Sequence, residues 1–189
     1  PERIALDVQI TDTREVRLPG TDVSLAGANL GVQFDATKSD DWTISGRASN
    51  VFASGLRFGT MSLDGVGQFD PQAAPMLEGA LRLNAAGVDA PDDPDLARVL
   101  SPELRLSTDL ALAENGDVAF SNVALDTPYL AATGAFSATP TEGRIQLTSM
   151  LDARVPDLTP FAGLADVPLA GALFADVAFD AELPGGAIA

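Results

Sequence analysis

The sequence has no cysteine, no histidine and a single lysine, Lys38, among its 11 basic residues. Without cysteine there are no disulfides, no thiol nucleophile and no thiolate ligands for zinc. Without histidine, the imidazole that most often serves acid–base catalysis and zinc binding is also missing. Serine and threonine are common, but the bases that usually activate their hydroxyl groups are lacking. These absences predict that the chain is not an enzyme and has no cofactor.

Aromatic residues and long apolar runs are also scarce. Aromatics make up 6% of the chain, with one tryptophan and one tyrosine, although 46% of the residues are hydrophobic. The apolar content is therefore mostly alanine, leucine and valine. No apolar run approaches the roughly 20 residues of a membrane-spanning helix, and no signal peptide is recognisable. Since no linker or low-complexity tract divides the chain, we expect a single domain, 1–189, and the start at Pro1 rather than at a methionine suggests that it is part of a larger protein.

Acidic residues outnumber basic residues 27 to 11, which gives a formal net charge of −16. Such a polyanion repels nucleic acids and acidic lipid headgroup surfaces, so neither is expected as a partner of the outer face. Neighbouring carboxylates, as at Asp40-Asp41 and at Asp92-Asp93, could serve acid–base or metal chemistry. They could equally be solvated turn and helix-capping residues. The spacing around Asp92 lacks the order of a calcium-binding loop, which favours the second interpretation.

Alternation of apolar and polar residues dominates the sequence. In segments 104–112 and 145–155, for example, every second residue is mainly apolar and the residues between are mainly polar. Only one face of each such segment is apolar, which is typical of antiparallel sheets. We expect roughly 14 strands of ordinary length. They include a last strand over 169–183, and a change of phase predicts a bulge near Gly27.

Turn-forming residues separate the predicted strands at Asp70-Pro71, at Asn115-Gly116-Asp117 and at 140–143. Two segments break the alternation. Within 91–100, aspartates precede apolar residues at helical spacing, and within 156–168 Asp157 precedes a similar short run. The sequence therefore predicts an all-β domain with two short helices.

So many strands in one sheet must either fold into a packed sandwich or curl into a trough, since open sheets rarely exceed about 10 strands. Many positions on the apolar faces carry small residues, which either permit close packing in an ordinary core or leave an aliphatic channel unfilled. Composition does not separate these two outcomes. The small residues are Gly46, Gly65, Gly67, Gly79, Ala132, Gly134, Gly171 and Ala175.

Two stretches resemble a recurring element of the TamB family, within the AsmA-like superfamily. Residues 155–164 read VPDLTPFAGL and residues 168–173 read PLAGAL. In that element a strand ends, a short helical segment of the form DLxPxxxL crosses, and PLxGxL opens the next strand. The stretch 104–136 is similar as well, with a strand, a glycine turn at Gly116 and the run YLAATG over 129–134. The resemblance covers most of the chain from Thr60 onward, as an internal or C-terminal part of such a protein.

The resemblance implies a fold, a location and a function. TamB-like proteins are anchored in the inner membrane of Gram-negative bacteria and cross the periplasm as long β-taco troughs lined with apolar residues. They are linked to phospholipid movement towards the outer membrane, and to outer-membrane protein assembly with an outer-membrane barrel partner of the TamA type. On this basis we expect a long curled antiparallel sheet that forms a hydrophobic trough, with phospholipid acyl chains as its partner and nascent outer-membrane proteins as a possible second one.

Leucine, isoleucine, valine and phenylalanine on the apolar faces are the candidates for lining such a lipid groove. They are Leu63, Phe69, Leu77, Leu81, Leu83, Leu104, Leu106, Leu110, Leu112, Leu130, Phe136, Ile145, Leu147, Leu151, Leu173, Val177 and Phe179.

Two other interpretations stay open. The chain could lend its strand edges to nascent outer-membrane strands by β-augmentation, without conducting lipid. It could also be an acidic structural or adhesin β-domain with a filled core and no ligand. Exposed sheet edges further predict an edge-to-edge homodimer.

Overall fold

The structure is a computed structural model that describes residues 3–10, 16–17, 21–35, 37, 39–141 and 143–184. Its strands are β1 (Arg3–Ile10), β2 (Val16–Arg17), β3 (Ser24–Leu25), β4 (Gly27–Asp35), β5 (Asp41–Ala53), β6 (Leu56–Phe69), β7 (Leu77–Asp89), β8 (Glu103–Leu112), β9 (Val118–Asp126), β10 (Ala131–Thr141), β11 (Arg144–Val155) and β12 (Leu173–Pro184). Its helices are α1 (Pro94–Leu100) and α2 (Ala162–Ala165), and a 3-10 turn (Thr159–Phe161) leads into α2.

All twelve strands belong to one antiparallel sheet. Ten of them follow in the order β1-β4-β5-β6-β7-β8-β9-β10-β11-β12, while the two-residue β2 and β3 lie beside the path, with β3 pairing to β5. The sheet is curled and does not close into a barrel, so β1 and β12 are its two edges. The predicted all-β class with two short helices and a curled, open sheet is thereby confirmed.

The alternation seen in the sequence separates the sheet into two faces. Residues directly opposite each other in antiparallel strands project from the same side. Leu6, for instance, pairs with Val32, and Val32 pairs with Ile44. On the other side of the same strands, Asp7 pairs with Gly31, and Gly31 with Ser45. We call these two sides the apolar face and the polar face.

Both predicted helices are present at one end of the strands. In α1, the Asp93 carboxylate accepts a hydrogen bond from the Leu96 N–H at 3.0 Å, and Pro94 occupies the first turn. This is the capping arrangement that favours a helix start. In the second segment, Asp157 accepts a hydrogen bond from the Thr159 N–H at 2.9 Å, so the chain turns directly into the 3-10 turn and α2.

Some strand boundaries differ from the sequence expectation. Within the described residues there are twelve strands rather than roughly 14. The alternation changes phase between residues 58 and 61 and between residues 120 and 123, but each change lies inside a single strand, β6 or β9. In β9, Asn122 takes a left-handed conformation with φ of 50°. It absorbs the change of phase as a bulge, and the pairing continues on both sides.

The last strand begins at Leu173 rather than at 169. Gly171 has a φ of 92°, and its carbonyl accepts a hydrogen bond from the Leu158 N–H, so the chain turns there before pairing begins. Near Gly27, the predicted bulge is a break at Ala26 between β3 and β4. The turns at Asp70-Pro71 and at Asn115-Gly116-Asp117 lie between strands as predicted. The turn at 140–143 includes Glu142, which lies outside the described residues.

Candidate functional site: an apolar face across ten strands

The apolar face runs across the whole sheet without a charged side chain in its central rows. Cross-strand pairing defines each row. From β1 to β12, one row reads Val8, Leu30, Gly46, Leu63, Leu83, Leu106, Leu125, Ala132, Ala153 and Ala175. A second row reads Ile4, Phe34, Trp42, Gly67, Gly79, Leu110, Phe120, Phe136, Ser149 and Phe179.

Sixteen of the seventeen candidate lining residues project from this face. The exception is Leu130, which lies in the loop before β10, where its carbonyl accepts a hydrogen bond from the Thr127 N–H. Sequence alternation therefore predicted the side of the sheet correctly for sixteen residues. It was wrong for Leu130, which lies in a turn and not in a strand.

No second layer covers the apolar face within the described part of the chain. Not one large side chain there is fully buried. Exposure increases towards the β12 edge, where Leu151, Val177 and Phe179 are 40%, 52% and 51% exposed. The candidates on the central strands β6 to β8, such as Leu83 and Leu106, are half-buried. A sandwich would bury such residues completely between two layers, so the packed-sandwich outcome is wrong for this sheet.

Three of the small residues do not leave empty space. The indole of Trp42 lies across Gly67 and Gly79, and its Nε1–H donates a hydrogen bond to the Glu78 carbonyl at 3.2 Å. A Cβ added to Gly67 would lie 2.6 Å from a ring carbon of Trp42. At Gly65 the same position is taken by Ile44 and Leu81 side chains. Here the glycines permit close packing, which at these three positions is the first of the two outcomes that the sequence left open.

Aromatic rings are spaced along the second row. Phe34 and Phe69 meet edge to face with their centroids 5.7 Å apart. Further along, Phe120 and Phe136 lie in a tilted arrangement at 6.2 Å. Both distances fall in the range preferred by aromatic pairs. The described part of the face is therefore built mainly from rigid rings and aliphatic groups, and Ser149 is the hydroxyl-bearing residue of this row.

The two helical connections meet at one end of the strands. The helix α1 follows β7 and the segment with α2 follows β11, yet α1 contacts both the 3-10 turn and α2. Gly163 of α2 rests directly against the carboxylate of Asp95. Because β7 and β11 are four places apart in the sheet, the strands between them must curve to bring the helices together. Ala85 and Val155, on the apolar face at this end, are 3% and 5% exposed, which indicates that the helical connections close that end.

The polar face carries the charges. Asp152 and Asp176 are directly opposite each other on β11 and β12. The protonated Asp152 carboxyl can donate a hydrogen bond to the Asp176 carboxylate, which raises the pKa of Asp152, and charge repulsion from Asp176 adds to the shift. Asp157, beside the second helical connection, has a lowered pKa, because the Thr159 backbone N–H and hydroxyl group donate hydrogen bonds to its carboxylate.

Two of the four carboxylates singled out as chemical candidates, Asp41 and Asp93, accept hydrogen bonds within the fold, and the nearby Asp95 forms an ion pair. Asp93 caps α1, Asp95 pairs with Arg98 at 2.7 Å, and Asp41 accepts a hydrogen bond from Gln68. Among the described residues, no group of three or more acidic side chains is arranged to hold a metal ion. Within the same residues, none of the helices has the length and apolar character needed to span a membrane.

Comparison with known proteins gives no relative: no family model, no curated protein and no solved structure matches the chain.

Proposed function

We propose that the apolar face carries the acyl chains of phospholipids, as a periplasmic segment of an envelope protein of the TamB kind anchored in the inner membrane. The observation that supports this is the apolar face, whose uncharged rows continue across ten strands and which no other described part of the chain covers as a second layer. A face of that size in water is normally covered by a partner or a ligand.

The free energies favour an acyl chain as the occupant. Exposing a chain of about 16 carbons to water costs roughly 13 kcal/mol, at about 0.8 kcal/mol per methylene group. Contact with an aliphatic surface removes much of this free-energy cost, and it does so without directional hydrogen bonds. Successive positions along the rows are then similar in energy, so that a chain can slide from strand to strand. The ten strands span about 43 Å at about 4.8 Å per spacing.

The direction of travel follows from the blocked end. The helical connections close one end of the strands, so an acyl chain lying parallel to the strands meets α1 and α2. An acyl chain lying across the strands meets only the rows described above. We propose movement across the strands, from one sheet edge to the other. In the parent protein, the neighbouring segment or an outer-membrane barrel partner of the TamA type would take over at each edge.

The absence of cysteine allows a matched pair of reporters. Ser149 lies on the apolar face between Phe136 and Phe179, and Ser137 lies on the polar face opposite Thr148. Ser149→Cys and Ser137→Cys are nearly isosteric changes, and each variant takes one bimane fluorophore. Titration with a lysophospholipid that carries a nitroxide on its acyl chain, below its micelle concentration, should quench the fluorophore at residue 149 with saturation and leave the one at residue 137 little changed.

Equal quenching at both positions would show non-specific adsorption, and no quenching at residue 149 would reject the acyl-chain proposal. Unlabelled phospholipid should compete for quenching at residue 149. The melting temperatures of both labelled variants should match that of the unmodified protein, which excludes unfolding as the cause.

A second candidate function uses an edge of the sheet. The strand β12 is twelve residues long and, among the described strands, pairs only with β11. Its polar-face residue Phe174 is 74% exposed, and Val177 and Phe179 on the other face are about half exposed. A long, apolar free edge is a template for adding a strand, so we propose β-augmentation of nascent outer-membrane strands, or pairing of a second copy, as the alternative. Crosslinks from residue 176 to an unfolded barrel peptide, with no response to lipid at residue 149, would favour it.

A further inference from the structure

A cavity opens on the polar face, and none of the candidate lipid-lining residues contributes to it. It measures about 680 Å³ and is lined by residues of β4 to β8. Ten of its fourteen lining residues form two neighbouring cross-strand rows of the polar face, near the end of the strands where α1 lies. The volume falls within the range of about 300–1,000 Å³ that is usual for small-molecule sites. No sequence motif pointed to it, because its residues come together only through the register of five strands.

Charge is distributed unusually in this cavity. The whole chain carries −16, with 27 acidic and 11 basic residues. The cavity lining has two arginines, Arg47 and Arg105, and one acid, Glu103. It is therefore locally positive on an acidic protein, and it focuses attraction for anions at one place.

The two arginines occupy the same row, and neighbouring side chains contact the Arg105 guanidinium group and the Arg47 backbone. The row reads Asn29, Arg47, Ser62, Asn84 and Arg105 across five strands. Arg105 donates to Glu103 at 2.7 Å. The Asn29 side-chain oxygen accepts a hydrogen bond from the backbone N–H of Arg47 at 3.0 Å. Within the described residues, the Arg47 guanidinium group has no ion-pair partner within 4 Å.

The residues between the arginines add neutral hydrogen-bonding groups. Three strand spacings place the Arg47 and Arg105 backbones about 14 Å apart along a flat sheet, and Ser62 and Asn84 project from the strands between them. Guanidinium groups bind phosphate through paired, charge-assisted hydrogen bonds. Hydroxyl and amide groups suit the hydroxyl groups of a polyol. A small phosphate ester with a polar body fits both features.

We propose that this polar-face cavity binds a small, soluble phosphate ester, with Arg47 as its main anion-binding residue and Arg105 as the second. A smaller cavity of about 350 Å³ adjoins it and shares Arg47, but is lined by Asp7 and Asp64. Those carboxylates repel an anion, so the phosphate group lies on the Arg105 side of Arg47. The site is on the opposite side of the sheet from the apolar face and does not depend on the proposed lipid function.

The test is calorimetric titration of the intact chain with inorganic phosphate and with glycerol 3-phosphate in low salt. We expect saturable binding that is tighter for the ester, and a loss of about tenfold or more in Arg47→Gln, since hydrogen bonds to charged groups contribute about 1.5–3 kcal/mol. Arg82→Gln is the matched control, because Arg82 lies on β7 of the same face, opposite Asp64 and outside the cavity lining. Asp64→Asn should tighten binding.

Three results would overturn the proposal. The first is no saturable binding of either compound. The second is an equal loss in Arg47→Gln and Arg82→Gln, which would show diffuse attraction of anions to the surface. The third is binding to phosphatidylglycerol vesicles but not to glycerol 3-phosphate, with phosphatidylcholine vesicles as the reference, which would assign the arginines to a lipid headgroup instead. Thermal melting of each variant, compared with the unmodified protein, checks that the sheet is intact.

Discussion

At the scale of single residues, the apolar face owes its shape to pairs of large and very small side chains. Trp42 fits only because the residues beneath it on β6 and β7, Gly67 and Gly79, have no side chain. An aromatic ring laid over cross-strand glycines covers backbone that would otherwise be open to water. At this place the indole ring fills the space that the two glycines leave on the face.

Gly79→Ala should displace the indole. The new Cβ would meet both the Trp42 ring and the Val66 carbonyl, and overpacking of this kind typically costs about 1–3 kcal/mol. Since Trp42 is the one tryptophan in the chain, intrinsic fluorescence reports it directly, and its emission should shift to longer wavelength. Urea unfolding gives the change in free energy.

Ala80→Val is the control for that substitution. Ala80 is the next residue on β7 but projects from the polar face, opposite Val66. It should leave the emission maximum where it is and change stability little. An unchanged emission maximum in Gly79→Ala would show that the ring does not depend on the glycine.

The pair of carboxylates on β11 and β12 gives a pH-dependent prediction. Asp176 raises the pKa of Asp152 by hydrogen bonding and by repulsion. A folded-state pKa above the unfolded value means that the shared proton stabilises the fold at low pH, and that this contribution is lost as pH rises through the folded pKa. Asp152→Asn should therefore raise the melting temperature at pH 7, and the gain should shrink towards pH 3.

Asp180→Asn serves as the control for Asp152→Asn. It removes one negative charge from β12 on the same face, where residue 180 is opposite Thr148 rather than another acid. Differential scanning calorimetry from pH 3 to pH 7 would separate the two variants. Equal gains at every pH would mean that net charge, and not the opposed pair, determines the effect.

At the scale of elements, both helices could be predicted from the sequence but their contact could not. Aspartates ahead of apolar residues at helical spacing are a local signal, and they predicted α1 within 91–100 correctly. The contact between Gly163 and Asp95 joins the connections that follow β11 and β7, and three strands, β8 to β10, lie between those two in the sheet. This contact depends on how strongly the strands between β7 and β11 curve, and a local sequence pattern does not predict that curvature.

Gly163→Ala distinguishes local propensity from this contact. In an isolated helix the change to alanine would stabilise by about 0.5–1 kcal/mol. Here a Cβ would collide with the Asp95 carboxylate, so we expect destabilisation of about 1–3 kcal/mol. In the Asp95→Ala background the same change should become neutral or stabilising.

A double-mutant cycle by urea unfolding measures the coupling between positions 95 and 163. Amide hydrogen exchange gives a local measurement as well. If Gly163→Ala separates α2 from α1, exchange over residues 94–100 should become faster. A coupling energy of zero would show that the contact between positions 95 and 163 does not contribute to stability.

Sheet elements follow the same division between local and non-local information. Alternation identified the apolar side of every long strand, because the side-chain period of two is a property of each strand alone. The number of strands was overestimated, because Asn122 carries a phase change within one strand without ending it. The cavity lined by Arg47 and Arg105 escaped prediction altogether, since it is assembled from the register of separate strands.

At the scale of the whole molecule, the charge imbalance opposes folding more than ion pairs support it. The four ion pairs described, such as Arg17–Asp22 and Arg144–Glu182, all involve side chains that are between 38% and 88% exposed. Exposed pairs contribute about 0–1 kcal/mol each. Self-repulsion from a net charge of −16 acts on the whole sheet, and an open sheet with few buried residues has little burial to offset it.

Stability should consequently rise with salt at neutral pH. Raising sodium chloride from 10 mM to 0.15 M shortens the Debye length from about 30 Å to about 8 Å, which screens repulsion between distant carboxylates. We expect a higher urea midpoint at 0.15 M than at 10 mM. Near the isoelectric point of about 4.1 the protein is its own control: net repulsion is absent there, and the salt dependence should vanish or reverse. A midpoint that falls with salt at pH 7 would mean that the exposed ion pairs outweigh the net charge.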